Sequence, residues 1–394
     1  MTHQFAIARL PRVVFGPGTL DQLPAIVRHY GNRILLVTGA SSFLANPPWQ
    51  RIAAALEQAG ITFRIIQVNG EPSPELVDDR VRELRTLTFD AVVGIGGGSA
   101  LDTAKAIAGL LKTGNSVMEH LEGVGPELPY AGPATPFIAI PTTAGTGSEA
   151  TKNAVLSRKG EDGFKKSFRD DRLVAEYAIV DPDLLATCPP AIIAANGMDA
   201  FTQLLESYVS TKANPFTDAL ALSGMAAARD SLLPWYAGKV DTAEHRSRMA
   251  YAALLSGITL AQVGLGSVHG LAAPLGAFFP IPHGAACGTL VAEATRINIA
   301  ALQERAPDSP ALKKYSEVGC LLAGQPLDDT EGLAALPKIL NDWTGRLDMP
   351  RLGSYGVTAA DLPRIVANSR GSSMKTNPIV LSDDEIARLV SARL

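Results

Sequence analysis

The chain has 394 residues, of which 46% are hydrophobic and 19% are charged, and its formal net charge is −4. At about 100–200 residues per domain this length predicts two domains, and the composition excludes disordered, coiled-coil and fibrous proteins. A slight negative charge without a basic run argues against nucleic acid or an anionic membrane surface as a partner. Three widely spaced cysteines form neither a disulfide framework nor a metal knuckle, which favours a reducing cytoplasm.

The N-terminal residues lack the basic start and apolar stretch of an export signal, so we expect a cytoplasmic protein. The most apolar long stretch, residues 91–111, contains three consecutive glycines together with Asp102 and Lys105. Each such charge costs a few kcal/mol at the centre of a bilayer. The stretch therefore predicts a strand, a turn and a helix of a soluble domain, and no membrane partner is expected.

The first half of the chain alternates short apolar runs with amphipathic stretches. The runs predict strands over residues 33–38, 62–68, 91–95, 136–140 and 178–180, and the spacing predicts helices over residues 48–59 and 74–86. Strands and helices that alternate at this pitch are typical of a doubly wound parallel α/β domain.

The second half is rich in Ala and Leu and has no β-branched run of strand length. Its spacing predicts helices over residues 191–211, 216–235, 243–262, 285–301 and 309–323. Pro189 and Pro190 can open a helix but cannot continue one. We therefore predict an α/β domain over residues 1–187 and an all-α domain over residues 188–394.

Two loops, each directly after a predicted strand, suit a nucleotide cofactor. The first contains Gly96, Gly97, Gly98 and Ser99 and opens a helix, whose N–H groups and positive dipole end favour phosphate. Ser99, Asp102 and Lys105 share one face of that helix, which weighs against a turn that serves packing alone. The second loop offers hydroxyl groups that suit a cofactor ribose, phosphate or carboxamide, from Thr142, Thr143 and Thr146.

Candidate metal ligands are few. His269 and His283 lie fourteen positions apart, and Asp199 lies in the first helix of the second half, one turn before Gln203 on the same face. A divalent ion of borderline softness takes imidazole nitrogens plus a carboxylate and keeps a position open for substrate. Each of these residues, taken singly, is also compatible with a purely structural role.

Six motifs, in this order along the chain, resemble the iron-containing (group III) alcohol dehydrogenase family. They are Gly96-Gly-Gly-Ser-x-x-Asp-x-x-Lys105, Pro141-Thr-Thr-Ala-Gly-Thr-Gly-Ser-Glu149, Met198-Asp-Ala200, Val268-His-Gly270, Pro282-His-Gly284 and Asn377-Pro378. The resemblance implies a nucleotide-binding α/β domain, a helical domain, hydride transfer in the cleft between them, and a homodimer. The metal, Fe²⁺ or Zn²⁺, would act as a Lewis acid on the alcohol or carbonyl oxygen.

The resemblance also implies roles for individual residues. Gly97, Gly98 and Ser99 would bind the pyrophosphate, with Asp102 nearby. The three threonines of the second loop would contact the nicotinamide side of the cofactor. Lys166, by a looser local match, would reach toward the cofactor. The metal ligands, and with them the catalytic residues, would be Asp199, His269 and His283, joined by Gln203.

Two departures from the family pattern fall in one site. The family usually has His at the position of Gln203, and an amide oxygen is a weaker ligand for Fe²⁺ or Zn²⁺. Many members also place a proton-relaying His at the position of Ala273, so the proton must come from water, a ribose hydroxyl or another side chain. Two hypotheses stay open: a metal site that includes Gln203, and a metal-independent reductase that uses the two histidines to bind or polarise substrate.

A third departure concerns the choice between NAD and NADP. Members that use NAD commonly carry an Asp after the first of these strands, where it repels a 2′-phosphate. Here that position is Gly39, followed by Ser41 and Ser42, which can donate to a phosphate. We therefore expect NADP(H) to be accepted or preferred.

The resemblance implies a small alcohol, with its aldehyde or ketone, as the substrate class. Arg370, Ser372, Ser373 and Lys375 offer an anion-accepting edge, which suggests an acidic aldehyde or oxo acid for the metal-independent alternative. A lyase that resembles dehydroquinate synthase and a nucleotide-binding protein without turnover are the remaining alternatives.

Overall fold

Residues 4–40, 43–160, 162–238 and 242–394 are described by the computed structural model, in which the chain divides into two units. The first consists mainly of Ala8–Arg158 and Asp162–Cys188, and the second mainly of Pro189–Leu394.

Eight strands are found in the described part of the first unit. They are β1 (Arg12–Phe15), β2 (Arg33–Gly39), β3 (Thr62–Val68), β4 (Ala91–Gly96), β5 (Phe137–Pro141), β6 (Asn153–Arg158), β7 (Phe164–Arg169) and β8 (Tyr177–Val180). Six of them form one sheet in the order β1-β8-β5-β4-β2-β3, with parallel pairing throughout. All five predicted strands are present within this sheet.

Apolar side chains cover both faces of the sheet, as a nearly continuous apolar strand requires. Leu35 and Val37 of β2 belong to one core cluster, whereas Ile34 and Leu36 belong to another. The helices of this unit are α1 (Leu23–Arg28), α2 (Pro47–Gln58), α3 (Pro74–Leu84) and α4 (Gly98–Leu110). The prediction of a doubly wound α/β domain is confirmed.

Strands β6 and β7 form a separate antiparallel hairpin that the sequence did not predict. The motif of β7, Phe-Lys-Lys-Ser-Phe-Arg, has too few apolar residues to resemble a strand that is buried on both faces. Phe168 and Leu156 nevertheless lie fully buried in the core beneath the hairpin.

The second unit is built from helices. They are α5 (Pro190–Val209), α6 (Pro215–Ala237), α7 (Ala243–Val263), α8 (Ser267–Phe278), α9 (His283–Arg305), α10 (Pro310–Ala323), α11 (Asp329–Arg346), α12 (Leu362–Asn368) and α13 (Asp383–Ser391). The five predicted helices are present, and the described residues of this unit contain no strand. The sequence prediction missed α8, in which Gly270, Pro274 and Gly276 weaken the helical signal.

Over the described ranges no single helix is long and apolar enough to cross a membrane, although α7 and α8 pass that test as a pair bent by 100°.

Candidate active site

The two predicted loops of the α/β unit lie against each other. Gly97 precedes the first residue of α4, and a Cβ atom on Gly98 would fall 2.7 Å from Cγ2 of Thr146. A Cβ on Gly97 would lie 3.4 Å from Oγ1 of Thr143, and the N–H of Thr142 donates to the carbonyl oxygen of Gly96 at 3.0 Å. The glycines therefore allow the threonine loop to approach the N-terminus of α4, where a phosphate would bind.

The same edge of the sheet holds the end of β2. Strands β2 and β4 are neighbours, although β3 lies between them in the chain, so the strand order reverses here. Nucleotides bind at such a switch point, at the carboxyl ends of the strands. A Cβ on Gly96 would lie 3.3 Å from the backbone nitrogen of Gly39, which brings the two glycines together. The two predicted residues Ser41 and Ser42 lie outside the described residues.

Lys105 and Asp102 join α4 to the threonine loop. The ammonium group of Lys105 is fully buried and donates to the carbonyl oxygens of Ser148 (2.8 Å) and Asn153 (2.7 Å), and also to the hydroxyls of Ser148 and Thr151. The carboxylate of Asp102 accepts from the Ser148 hydroxyl at 2.5 Å and lies 3.7 Å from Lys105 Nζ. These two residues join the two predicted cofactor loops.

Burial shifts the titration of this network. It lowers the pKa of Lys105 to about 8, although Asp102 and Glu149 oppose the shift. It raises the pKa of Glu149 to about 7, against the effect of a backbone hydrogen bond and of Lys105. Burial also raises the pKa of Asp102, because its cost exceeds the attraction of Lys105.

Ser99 and Lys166 complete the predicted cofactor residues. Ser99 is half-buried in the first turn of α4, where its carbonyl accepts from the Thr103 hydroxyl. Lys166 lies on β7, opposite Leu156, and its ammonium group approaches Gly123.

In the helical unit, Asp199 on α5, His269 on α8 and His283 at the start of α9 converge. His269 Nε2 lies 3.2 Å and His283 Nε2 lies 3.8 Å from Oδ1 of Asp199. Cys287, one turn after His283, joins them, and its sulfur lies 3.6 Å and 3.8 Å from the same two nitrogens. The donor atoms of these four residues all lie within 4.8 Å of one another.

This donor set fits a divalent metal ion. In a tetrahedral site with bonds of about 2.0–2.1 Å to N or O and about 2.3 Å to S, neighbouring donors are roughly 3.3–3.6 Å apart. The observed separations of 3.2–3.8 Å are close to those values. Asp199 and His269 are both buried, so the carboxylate needs a cationic partner in this position.

The electrostatics of the cluster also favour a cation. Burial opposes ionisation of Asp199, but His283 and His269 outweigh it and hold the pKa of that carboxyl below its usual value. Burial likewise disfavours the charged form of His269, yet Cys287, Asp199 and Glu206 outweigh it and raise its pKa well above normal. Burial raises the pKa of the Cys287 thiol to about 12.

Glu206, which the sequence analysis did not single out, orients His269. Its Oε2 lies 2.7 Å from Nδ1 of His269, and its Oε1 accepts from the N–H of Val268 at 2.7 Å in the first turn of α8. A carboxylate that accepts from Nδ1–H leaves Nε2 free to bind a metal. Glu206 follows Asp199 by seven positions on α5, so helical spacing could have suggested it.

Gln203, the predicted fourth ligand, is buried on α5, and its Oε1 accepts from the Ser256 hydroxyl at 2.6 Å. Ala273 is half-buried on α8, one turn after His269. Of the predicted anion-binding edge, Arg370 donates to the carboxylate of Asp383 and to the carbonyl oxygen of Leu381, while Lys375 is exposed. The charge of Arg370 is therefore already balanced within the helical unit.

Comparison with known proteins gives concordant results for both units. Residues 11–182 match the family described as iron-containing alcohol dehydrogenase, and residues 193–394 match the C-terminal domain of the same family. Alcohol dehydrogenase 4 of Saccharomyces cerevisiae is 31% identical over 384 residues, 96% of each chain. Sulfoacetaldehyde reductase of Bilophila wadsworthia is 30% identical and covers 97% of each chain. A crystal structure of a 1,3-propanediol oxidoreductase matches all of both chains with a TM-score of 0.89 at 27% identity.

Proposed function

Because the chain belongs to the iron-containing alcohol dehydrogenase family, we propose that it interconverts a small alcohol and its aldehyde or ketone with NAD(P)(H) as hydride carrier. The observation that carries the proposal is the convergence of the buried Asp199 and His269 with the half-buried His283 in a chain of this family. Family membership makes the protein an oxidoreductase, which removes the alternative of nucleotide binding without turnover and disfavours the lyase.

The residues present fit a divalent metal, and Asp199, His269 and His283 would hold it. When bound, the ion supplies a Lewis acid for the substrate oxygen. Glu206 supports this role from the protein side, because it accepts from Nδ1 of His269, which leaves the lone pair of Nε2 for a metal. Ala273 has no exchangeable side-chain proton, so we expect the alcohol proton to come from water, a ribose hydroxyl or another side chain.

The α/β unit would bind the cofactor. The N-terminus of α4 and the backbone of Gly97 and Gly98 would take the pyrophosphate, because N–H groups and the helix dipole point there. Thr143 and Thr146 adjoin these glycines and would donate hydroxyl hydrogen bonds to the cofactor. The roles of Ser99, Thr142 and Lys166 remain predictions of the family resemblance.

A screen of small aldehydes and ketones with NADPH and NADH tests the activity. We expect reduction to require Fe²⁺ or Zn²⁺ and to disappear in protein treated with chelator. Full activity in metal-free protein would contradict the metal and favour the metal-independent reductase. A preference for an acidic aldehyde over its neutral analogue would support acidic aldehydes or oxo acids as the substrate class. Lys375→Ala should then raise the KM for the acidic compound alone.

We expect NADP(H) to be accepted or preferred, because no carboxylate stands at position 39. Among the described residues, no atom lies within 4 Å of a Cβ placed on Gly39, so the first side-chain atom would meet no clash from them. Gly39→Asp should lower kcat/KM for NADPH at least about 10-fold and change that for NADH less, because the carboxylate repels the 2′-phosphate. Gly39→Asn adds similar bulk without charge and is the matched control. A wild-type preference for NADH above about 10-fold would contradict the expectation.

We further propose that the enzyme acts in the cytoplasm as a homodimer. The three cysteines are free, in accord with a reducing compartment.

A further inference from the structure

Cys287 contacts the proposed metal site but is not among the metal ligands that the sequence motifs predict. Its sulfur is fully buried and lies beside Nε2 of both His269 and His283. We propose that the thiolate of Cys287 is the fourth protein ligand of the metal, and that it biases the site toward zinc over iron. This inference rests on the metal of the proposed function and specifies its ligands.

The position of Cys287 on α9 supports this assignment. Cys287 follows His283 by four positions, so both side chains lie on one face of the helix. The two sulfur–nitrogen separations, 3.6 Å and 3.8 Å, are near the roughly 3.6 Å that a tetrahedral zinc site gives to sulfur and nitrogen donors. A metal centred among the three predicted ligands would therefore lie within reach of the sulfur.

Gln203 is the competing fourth ligand, and its contacts point to a different role. Its Oε1 is hydrogen-bonded to the hydroxyl of Ser256 on α7 at 2.6 Å, so the carbonyl already has a partner. An amide oxygen is also neutral and weakly basic, whereas a thiolate is anionic and soft. The sulfur of Cys287 is the stronger donor for a divalent ion.

The charge balance of the buried site favours the same assignment. Within the ligand set, Asp199 and a Cys287 thiolate carry two negative charges, which match the charge of a divalent ion, while the two imidazoles are neutral. The carboxylate of Glu206 lies outside this set, where it contacts Nδ1 of His269 and the N–H of Val268. On binding, the S–H bond of Cys287 breaks heterolytically, the sulfur keeps the electron pair for the metal, and the proton leaves to solvent. No electron is transferred. Thiolate ligands favour zinc over iron at sites of this kind.

Substitution with Co²⁺ tests the ligand directly, since cobalt bound by thiolate has a charge-transfer band in the near ultraviolet beside its visible d–d bands. We expect both features in the wild-type protein. Cys287→Ser should abolish the ultraviolet band and keep weaker d–d bands. Cys320→Ser, a matched control on α10, and Gln203→Ala should retain the ultraviolet band.

Competition between Zn²⁺ and Fe²⁺ for metal-free protein provides the second readout. Loss of a residue that hydrogen-bonds to a metal ligand costs about 10–100-fold in metal affinity. Cys287→Ser removes a ligand itself, so it should weaken Zn²⁺ binding by more than this and weaken Fe²⁺ binding less. Visible bands without the ultraviolet band in wild-type protein would overturn the proposal and leave the metal of the proposed function intact. Failure of Co²⁺ and Zn²⁺ to bind at all would overturn both, and activity of the metal-free protein would then test hydride transfer alone.

Discussion

Glu206 combines two tasks in one carboxylate. One oxygen accepts from the N–H of Val268 at the start of α8, and the other lies 2.7 Å from Nδ1 of His269 in the same turn. A carboxylate near a helix N-terminus stabilises the positive end of the dipole. The orientation of His269 and the first turn of α8 therefore depend on one residue of α5.

Glu206→Gln should raise the dissociation constant for Zn²⁺ about 10–100-fold, because a neutral amide is a poorer acceptor for Nδ1–H and lowers the basicity of Nε2. Chelator competition measures the constant, and thermal unfolding of the metal-free protein checks that the fold is retained. Glu293→Gln, which alters an ion pair with Arg296 in the same unit, is the control and should leave Zn²⁺ affinity unchanged. Equal affinities for Glu206→Gln and wild type would contradict the role.

Glu149 gives the α/β unit a specific pH dependence. Its pKa is about 7 in the folded protein and about 4.5 in the unfolded chain, so the folded state binds more protons between these values. Stability from this group is complete below about pH 4.5 and is lost as the pH rises through 7. The loss amounts to about 3 kcal/mol.

Glu149→Gln should remove this slope, because an amide does not titrate. Urea unfolding between pH 5 and pH 8 would show wild type losing stability relative to the variant. Glu57→Gln, an exposed residue of α2, should retain the wild-type slope. If the free energy of unfolding changes with pH in the same way for wild type and Glu149→Gln, Glu149 does not titrate near neutral pH.

Among the elements, the N-terminus of α4 and the threonine loop have little spare room between them. An alanine at Gly98 would bring its Cβ within 2.7 Å of Thr146 Cγ2, whereas one at Gly97 would lie 3.4 Å from Thr143 Oγ1. Overpacking costs about 1–3 kcal/mol. Gly98→Ala should therefore weaken NADPH binding roughly 10-fold or more, as titration calorimetry would measure.

Gly97→Ala is the matched control, since it adds the same methyl group to the same loop without the severe contact. We expect its effect on NADPH affinity to be clearly smaller. Replacing Thr146 by Ser in the Gly98→Ala background removes the crowded Cγ2 and keeps the hydroxyl, so it should restore part of the affinity. Equal losses for the two alanine variants would mean that crowding of the phosphate, not of the threonine loop, limits the site.

Elements with a strong periodic signal could be predicted from the sequence, and elements that depend on tertiary packing could not. The central strands are apolar along their whole length, so β2, β4 and β5 were expected. The hairpin of β6 and β7 carries Lys165, Lys166 and Arg169 at half-buried positions, and its stability depends on the core beneath it. Helix α8 contains glycine and proline but is almost entirely buried, so packing stabilises a sequence of low helix propensity.

At the scale of the whole molecule, one end of the chain exposes an unusual amount of apolar surface. Four of the ten exposed large apolar side chains among the described residues lie within residues 5–15, namely Phe5, Ile7, Val13 and Phe15. The last two belong to β1, which is an edge strand of the sheet. Exposed apolar edge strands promote pairing with another chain.

We therefore expect light scattering to give twice the 41.4 kDa mass of the chain at micromolar concentration. Val13→Lys should shift the protein toward the single-chain mass, because a charged side chain on an edge strand opposes pairing. Ile65→Lys, at an exposed position of the opposite edge strand β3, is the control and should keep the doubled mass. A single-chain mass for wild type would contradict the homodimer.

In the site, as in the fold, some residues could be predicted from the sequence and others only from the structure. Asp199, His269 and His283 stand in motifs that a single sequence reveals, and the structure brings them together. Cys287 and Glu206 stand in no such motif, and their importance depends on how α5, α8 and α9 cross. The hydrogen bond from Ser256 to Gln203 joins residues 53 positions apart, which spacing along one helix cannot predict.

Lys105 has a consequence for chemical labelling. Its amine has a pKa of about 8, so near neutral pH much more of it is in the nucleophilic, unprotonated form than is usual for a lysine. Yet its side chain is fully buried behind four hydrogen-bond acceptors, out of reach of acylating reagents. Acylation of Lys105 must wait until α4 and the threonine loop separate, so its rate would report how often these two elements open.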